Sequence, residues 1–379
     1  MKKIGIATYF KIYNYGSFLQ AYSTVHTLRE NGFDAELLDI TYPKQSRYAL
    51  KAKMLLKMVR YPRSIPLVKK LRVMGRGTIS AIDPCVKSAF DAAIQANLPV
   101  RKISYPDLKR LAKTEEYTAF LAGSDQIWSP LGIDLKPHKF LLFAPPKKRL
   151  SYAPSFGVSY VPVYNRREIC RNLRAMRALS VREESGKRLI SELTGLTASV
   201  VLDPTLVMAD DFWLSRTKEA PEPYVLCYFL NPPAADVQSA AVDFARRNGL
   251  ELRYLPYANG FDGAENSLFC KADPFAFIDL VRNARLVLTD SFHGTAFSLI
   301  FETPFFVFPR YSEAAFKQSS RITDLLDKLG LSDRFVSPEK MQTLSLEQPL
   351  QMDAAKAILE ELRAESRKYL TETLQATEV

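Results

Sequence analysis

The sequence predicts an α/β protein of two doubly wound lobes that face a central cleft. A chain of 379 residues is long for one compact domain and long enough to build two cores. Short apolar runs alternate with amphipathic stretches, which is typical of strands and helices that build a parallel sheet. A polar, proline-containing stretch at residues 218–223 interrupts this alternation. We therefore expect an N-terminal lobe over residues 1–218, a C-terminal lobe over 219–350, and a helix within 351–379 that can cross back onto the first lobe.

The N-terminal lobe begins with a predicted strand, helix and strand. Residues 4–10 form an apolar run, and Ser17 with Gln20 has the Ser-x-x-Gln form of a capping box that opens a helix closed by Gly32. Residues 35–40 give the second strand. The remaining elements of this lobe are short strands at 118–122, 150–153, 178–182 and 199–202, and helices at 166–177 and 184–194.

The C-terminal lobe repeats this alternation. Strands are predicted at 224–230, 250–255, 285–288 and 304–308, and helices at 234–247, 274–284 and 294–301. A long amphipathic pattern at 352–373 predicts the final helix. Because doubly wound sheets bind ligands at the carboxyl ends of their strands, polar residues that follow strands are the first candidates for a functional site.

Composition excludes several classes of protein. Hydrophobic residues make up 47% of the chain and charged residues 25%, which is ordinary for a folded protein. The N-terminal apolar run is too short for a secretory signal, and no window holds the roughly 18 uncharged apolar residues that a membrane-spanning helix needs. We therefore expect a cytoplasmic protein. The four cysteines lie far apart and predict neither a disulfide framework nor a structural zinc site.

Positive charge is concentrated in residues 44–76. This segment holds eleven Lys or Arg residues and no acid, while the whole chain has a net charge of +11. Apolar residues are interleaved with the cations, so the segment is compatible with basic amphipathic helices on an anionic membrane surface or a diphosphate-linked lipid. A solvated basic face is the alternative. Nucleic acid is not expected as a partner, because no recognised nucleic-acid-binding motif accompanies the charge.

The strongest local signal is an apolar strand that ends in polar residues and turns directly into a helix. The free N–H groups of that helix start favour an anion, and Gly294 allows the backbone to approach it closely. Ser291, Thr295 and His293 add side-chain donors. This run therefore predicts an anion site.

Metal and dinucleotide sites are not predicted. The three histidines are isolated, and no Asp-x-Asp or His-x-x-x-His spacing is present. No Gly-x-Gly-x-x-Gly follows the first strand. We therefore expect no tightly bound metal or cofactor.

Six blocks occur in a fixed order over residues 1 to about 330. They are residues 4–9 with 14–16 and 19–22, AGSDQIW at 122–128, SYA with SFG at 151–157, SVRE at 180–183, LDPT at 202–205, and TDSFHGT at 289–295 continuing to 305. Together they resemble the polysaccharide pyruvyltransferase family. The resemblance implies a GT-B-like fold of two Rossmann-like lobes. It also implies phosphoenolpyruvate as co-substrate and transfer of pyruvate, as a ketal, to two hydroxyls of a sugar in a capsular, exported or cell-envelope polysaccharide.

The resemblance also implies roles for particular residues. Arg182 corresponds to the family arginine that holds the donor, and a planar guanidinium suits a carboxylate or phosphate. A surface ion pair with Glu183 or Glu184 is the alternative for this arginine. His293 corresponds to the family histidine, a donor ligand and proton carrier. Asp290 is a base, or else it caps the next helix and orients His293.

Two further residues are candidates for donor binding. Arg321 would open a helix beside the hydroxyl of Ser320, and the start of a helix favours an anion. Simple helix capping with a solvent-facing arginine is the alternative.

Polar runs in the first lobe supply the candidates for acceptor binding. Asn14 and Tyr15 follow the first predicted strand, and Asp125, Gln126 and Trp128 follow a later one. Aromatic, amide and carboxylate groups recognise sugars by stacking and hydrogen bonding. Asn14 is alternatively only a turn residue.

Two other functions remain open at this stage. A GT-B glycosyltransferase that uses a nucleotide sugar would have the same fold, and fold alone does not separate the two enzymes. A carbohydrate- or nucleic-acid-binding module is the non-enzymatic alternative. For the pyruvyltransferase, a cytoplasmic location favours a lipid-diphosphate-linked glycan as acceptor, with the protein peripheral at the inner face of the cytoplasmic membrane.

Overall fold

The computed structural model describes residues 2–43, 47–65, 84–219, 224–230, 233, 235–256, 267–269, 272–309, 320–341 and 352–378. The predicted linker at 218–223 and the basic segment at 44–76 therefore lie partly outside the described residues. Among the helices that the structure describes, none combines the length and the apolar character needed to cross a membrane.

The first sheet is parallel, with the strand order β3-β2-β1-β4-β5. Its strands are β1 Lys3–Ala7, β2 Asp34–Thr41, β3 Val100–Ser104, β4 Tyr117–Ala122 and β5 Arg149–Ser151. The helices around it are α1 Tyr15–Glu30, α2 Arg47–Arg60, α3 Pro84–Asn97 and α4 Tyr105–Leu111. The chain builds the sheet outward in one direction from β1 to β3 and in the other direction from β4 to β5. The carboxyl ends of β1 and β4 therefore form the kind of crevice at which doubly wound sheets bind ligands.

A small parallel pair extends this lobe beyond β5. A bridge between Leu150 and Ala178 joins the pair to the main sheet. Its elements are α5 Val163–Arg174, β6 Ser180–Val181, α6 Glu184–Thr194, β7 Ser199–Val200, α7 Pro204–Val207 and α8 Asp210–Leu214. Arg182 and Asp203 follow the two short strands and lie on the same side as the crevice between β1 and β4, since Ser124 contacts Asp203.

The second sheet has the same topology, with the order β10-β9-β8-β11-β12 and parallel pairing. Its strands are β8 Tyr224–Phe229, β9 Glu251–Pro256, β10 Ser267–Phe269, β11 Leu286–Thr289 and β12 Phe305–Val307. The helices are α9 Ala235–Arg247, α10 Pro274–Asn283, α11 Phe292–Ile300, α12 Ser320–Lys328 and α13 Pro338–Met341. The prediction of two doubly wound lobes is therefore confirmed.

Helix α1 packs against the second lobe through its first residue. The ring of Tyr15 is 2% exposed and stacks on Phe277 of α10, with the ring centroids 4.8 Å apart. The Tyr15 hydroxyl donates to the backbone carbonyl of Ala272 at 3.0 Å. Burial of a large aromatic ring together with its satisfied hydroxyl fixes α1 against the second lobe.

The C-terminal helix α14, Met352–Gln375, contacts the first lobe. The buried Arg363 donates to the carbonyl of Leu206 at 2.7 Å, and the Tyr369 hydroxyl donates to the carbonyl of Ser151 at 3.1 Å. The hydroxyl of Ser366 accepts from the backbone N–H of Leu202 at 2.8 Å. These contacts place the end of the chain on the lobe in which it began.

The N-terminus of α1 differs from the prediction. The helix begins at Tyr15, and its cap is Asn14, whose side-chain oxygen accepts from the N–H of Ser17 at 3.0 Å. Gln20 does not complete a capping box with Ser17; its amide donates to the carbonyl of Tyr9 at 2.7 Å. The capping-box prediction was wrong because an asparagine three residues earlier is an equally good cap.

Candidate active site

A cluster of charged side chains, all buried except the partly buried Asp125, lies where the two lobes meet. The first lobe contributes residues that follow β4, β6 and β7, and the second lobe contributes residues at the starts of α11 and α12. We call this set the charge cluster: Asp125, Arg182, Glu183, Asp203, His293 and Arg321. All but Asp203 and Glu183 are among the sequence-predicted site residues.

Arg182 lies at the centre of the charge cluster. Its side chain is 1% exposed, and its Nη1 donates to Asp203 Oδ2 at 2.9 Å. Nη2 lies 3.9 Å from Asp125 Oδ1, and the guanidinium lies 4.4 Å from the ring centroid of Phe292. The alternative of a surface ion pair is therefore wrong. Nε and Nη2 are buried without a hydrogen-bond partner among the described residues, so two strong donors remain for an anion.

Asp203 is hydrogen-bonded to Arg182 and lies beside His293. It caps α7 by accepting from the N–H and hydroxyl of Thr205, at 3.1 and 2.7 Å, and it also accepts from the hydroxyl of Ser124 at 2.7 Å. Its Oδ1 lies 3.7 Å from His293 Nε2. Burial alone would raise the pKa of Asp203, but His293, Arg182 and the Ser124 hydroxyl hold that pKa well below its ordinary value. Asp203 is therefore an ionised counter-ion.

His293 lies in the first turn of α11 and packs directly against α1 of the other lobe. A Cβ added at Gly16 would lie 1.9 Å from His293 Nδ1, so the imidazole occupies the space that any other residue at this position would fill. The side chain is buried, and Nε2 has no hydrogen-bond partner among the residues described. His293 therefore directs an available nitrogen toward Asp203 and Arg182 from the opposite lobe.

The other residues around His293 hold the strand-to-helix turn. Ser291 is the N-cap of α11 and accepts from the N–H of Gly294 at 3.3 Å, and the Thr295 hydroxyl donates to the Ser291 carbonyl at 3.0 Å. A Cβ on Gly294 would lie 2.6 Å from Thr289 Oγ1, so this glycine permits close packing of the helix on its own strand. The structure thus gives Ser291, Gly294 and Thr295 structural roles at this turn, and their contacts with a donor stay predictions.

Asp290 is not the cap of α11, because Ser291 has that position. The carboxylate of Asp290 is buried, and its Oδ1 accepts from the backbone N–H of Leu230 at 2.7 Å. It therefore joins the carboxyl ends of β8 and β11. Its role as a base stays a prediction.

Asp125 has a backbone conformation that is rare for a residue with a side chain, with φ +67° and ψ −173°. Such residues cost about 1–3 kcal/mol and persist mainly at functional sites. Burial opposes ionisation of Asp125, but Arg182, His293, the Ser17 hydroxyl and Arg321 together lower its pKa. The strained turn therefore places a carboxylate at the end of β4, facing the cations of both lobes.

Gln126 and Arg321 join the two lobes beside Asp125. With its amide oxygen toward the second lobe, Gln126 accepts from Arg321 Nη2 at 3.0 Å and also from Nη1. Arg321 is 4% exposed, so the alternative of a solvent-facing arginine is wrong. Ser320 begins α12, and its carbonyl accepts from the hydroxyl of Thr323 at 3.0 Å. The donor role of Ser320 stays a prediction.

Glu183 is a buried carboxyl that the sequence pattern placed only in a surface ion pair. Its Oε1 accepts from the Ser155 hydroxyl and from the Phe156 N–H, both at 3.0 Å, and Oε2 lies 3.8 Å from Arg182 Nε. Burial raises the pKa of Glu183, and Arg182, Ser155 and Arg321 offset this only in part. Glu183 therefore holds a proton more readily than an exposed glutamate does.

Lys139 and Tyr9 adjoin the charge cluster on the first lobe, and the sequence assigned a role to neither. Lys139 Nζ donates to the Tyr9 hydroxyl and lies 4.7 Å from the centroid of its ring. Burial lowers the pKa of Lys139 to about 8, with Asp125 opposing and Lys136 adding to that shift. Burial and the nearby Asp125 raise the pKa of Tyr9 to about 12. The sequence offered one indication of a site here, which is that Tyr9 follows the first strand.

Two of the predicted acceptor contacts belong to the core. The indole of Trp128 is fully buried, stacks on Phe140 and packs against Phe156, and Tyr15 is buried against α10 as described above. Neither ring has an exposed face in this structure, and the acceptor roles of these two residues stay predictions. Asn14 has its side-chain oxygen engaged as the cap of α1. Within the described ranges, no group of three His, Cys, Asp or Glu side chains is placed to hold a metal ion.

Two doubly wound lobes with a site between them are the arrangement of GT-B proteins, and solved structures of that class are similar to this chain. UGT2 of Phytolacca americana, complexed with UDP-2-fluoro-glucose and pterostilbene, is 14% identical, covers all of both chains and has a TM-score of 0.50. UGT89C1 of Arabidopsis thaliana, complexed with quercetin, is 13% identical over 100% of this chain and 99% of that one, also with a TM-score of 0.50. The GT-B-like fold is therefore confirmed.

The family model for polysaccharide pyruvyl transferase matches residues 14–312. The chain belongs to this family, which confirms the resemblance seen in the sequence. Among curated proteins, no sequence matches the chain. The three residues predicted to be catalytic, Arg182, Asp290 and His293, lie within the matched range.

Proposed function

We propose that this protein transfers pyruvate from phosphoenolpyruvate to two hydroxyls of one sugar residue, forming a ketal in a cell-envelope or capsular polysaccharide. The observation that carries the proposal is the buried trio of Arg182, Asp203 and His293. Arg182 and His293 both present nitrogen atoms without a hydrogen-bond partner in the described structure, and Asp203 binds Arg182 and lies 3.7 Å from His293. Buried donors that lack a hydrogen-bond partner suit a small substrate with several negative charges.

Arg182 would bind the carboxylate or phosphate of the donor through Nε and Nη2. Arg321, held by Gln126, adds a second guanidinium from the other lobe. Three carboxyl groups surround Arg182, and an anionic donor would be repelled if all three were ionised. The raised pKa of Glu183 reduces this repulsion, because a protonated carboxyl carries no charge.

The reaction begins when the methylene carbon of phosphoenolpyruvate accepts a proton, for which we propose His293 as the donor. The C=C bond becomes a C–CH₃ bond, and the neighbouring carbon becomes electron-poor. One sugar hydroxyl attacks that carbon and loses its proton. The carbon–oxygen bond to phosphate then breaks, and a second hydroxyl attacks. One hydroxyl proton leaves with phosphate and the other restores the acid, so the reaction releases one phosphate per ketal.

Lys139 and Tyr9 are the best-placed groups for the acceptor. An aromatic ring can stack on a sugar, and an amine whose pKa is about 8 can accept a hydroxyl proton near neutral pH. Asp125 is close enough to influence the pKa of Tyr9 and of Lys139, and it lies 3.9 Å from Arg182 Nη2. We propose a sugar on a lipid diphosphate as the acceptor, because synthesis of exported glycans on such carriers takes place at the cytoplasmic face.

Ligand stabilisation tests the donor. Phosphoenolpyruvate should raise the melting temperature of the wild-type protein, whereas UDP- and GDP-sugars should leave it unchanged. The Arg182→Lys variant serves as the control, because it keeps the charge but loses the planar fork that binds an anion. Stabilisation by a nucleotide sugar and not by phosphoenolpyruvate would instead identify a glycosyltransferase.

A product assay tests the reaction itself. The protein is incubated with phosphoenolpyruvate and a panel of lipid-diphosphate glycans, and both phosphate release and product mass are measured. We expect one phosphate per product of pyruvate-ketal mass.

A further inference from the structure

Helix α2 presents an apolar surface to solvent. Leu55, Leu56 and Val59 are 63%, 69% and 71% exposed. They lie on one face, because Val59 is four residues after Leu55 and three after Leu56. Lys51 and Arg60 are exposed at either end of the same face. We call these five residues the α2 outer face. Clustered exposed apolar side chains of this kind mark an interaction surface.

The opposite face of α2 is bound to the first lobe through lysines. Lys53 Nζ lies 2.8 Å from Asp134 Oδ1. Lys57 donates to Asn165 Oδ1 at 2.6 Å and to the Ile133 carbonyl at 2.8 Å, and it lies 3.4 Å from Glu168 Oε2. The helix thus departs from the usual amphipathic arrangement, since two of its lysines face the protein while its leucines face solvent. These contacts prevent the helix from rolling to bury its leucines.

Further positive charge surrounds the α2 outer face. Arg63 follows the helix and is exposed, and Arg166 and Arg167 are exposed on α5, the helix that Lys57 contacts. The described stretch 47–65 contains no acidic residue. A second copy of the same face would bring like charges together, so charge complementarity favours an anionic partner.

We infer that the α2 outer face docks on a bilayer that contains anionic lipids. The three aliphatic side chains enter the boundary between headgroups and acyl chains, and Lys51 and Arg60 pair with lipid phosphates. Apolar burial and charge attraction then act together, which a surface helix needs for reversible binding to a membrane. The α2 outer face belongs to the first lobe, and its docking on a bilayer does not depend on the proposed reaction.

Flotation of the full chain with vesicles tests this docking. We expect binding to vesicles of phosphatidylcholine with phosphatidylglycerol, little binding to phosphatidylcholine alone, and weaker binding as salt is added. The Leu55→Ser/Leu56→Ser variant should lower the bound fraction by about tenfold or more, since two buried aliphatic side chains are lost. The Lys51→Gln/Arg60→Gln variant should remove the preference for anionic vesicles.

Leu196→Ser is the matched control, because Leu196 is 38% exposed and lies outside α2. All variants change exposed side chains, so their melting temperatures should match the wild type. Equal binding to neutral and anionic vesicles would overturn the inference, and so would wild-type binding by the double leucine variant. A dimer that this variant dissociates, without vesicle binding by the wild type, would show a second copy as the occupant instead. No donor or acceptor is present, so failure here leaves the proposed reaction untouched.

Discussion

Replacing Gly16 by alanine should displace His293 and lower activity much more than stability. The added Cβ would lie 1.9 Å from His293 Nδ1, 2.2 Å from Cγ and 2.6 Å from Cε1, whereas ordinary contacts of this kind begin at 3.4 Å. The imidazole must therefore move by at least about 1.5 Å, because the backbone of α1 is fixed through the neighbouring Tyr15. A 1 Å misplacement of a catalytic group can lower the rate by about 10²-fold.

The expected loss of stability is small by comparison. Overpacking costs about 1–3 kcal/mol, while alanine within a helix gains up to about 1 kcal/mol over glycine, so the two effects partly cancel. Phosphate release measures kcat/KM, and a thermal melt measures stability. Gly132→Ala is the matched control, since a Cβ there would meet only the Asp134 carbonyl, at 3.8 Å. A Gly16→Ala variant with wild-type kcat/KM would refute the proposed placement of His293.

Three other changes probe the charge cluster and the acceptor side. Asp203→Asn should lower kcat/KM by about 10²-fold or more, because it removes the counter-ion that binds Arg182 and faces His293. A decrease of less than threefold would contradict this expectation. Glu183→Gln should lower activity less than Asp203→Asn does, because the raised pKa of Glu183 favours the protonated carboxyl that glutamine resembles. A large loss would instead identify Glu183 as the acid. The melting temperature of the wild type should fall relative to that of this variant as pH rises above the ordinary pKa of glutamate. The reason is that ionisation of the buried Glu183, whose pKa is raised in the folded protein, costs stability that glutamine does not lose. Wild-type activity should increase as pH rises through about 8, where Lys139 loses its proton, and Lys139→Arg should remove that limb of the pH–rate profile.

Much of the fold was predictable because it rests on local patterns. Apolar strands alternate with amphipathic helices along both lobes, and this periodicity survives in the sequence without any knowledge of contacts. Arg182 and His293 were predictable for a related reason, since each follows a strand end, where doubly wound sheets place their ligands. The start of α1 was harder, because Asn14 and Ser17 are comparable caps and only tertiary packing selects between them.

The residues whose burial the sequence did not indicate depend on long-range contacts. Nothing local in the run around Trp128 indicates that Phe140 and Phe156 will cover its ring. Glu183 looks like a surface acid because it precedes an amphipathic helix, yet Ser155 and Phe156, from a distant loop, enclose it. Lys139 has no recognisable motif, and its low pKa results from burial in the folded protein.

Asp203 explains why the site requires both lobes. It belongs to the first lobe, as does Arg182, but its other oxygen faces His293 of the second lobe at 3.7 Å, beyond a normal hydrogen bond. A group inserted between the lobes could therefore contact His293 Nε2 and the free donors of Arg182 at once, without displacing the Arg182–Asp203 pair. A donor held in this way gains contacts with both lobes only when they are together. Donor binding should thus stabilise the closed arrangement that the buried Gly16–His293 contact also requires.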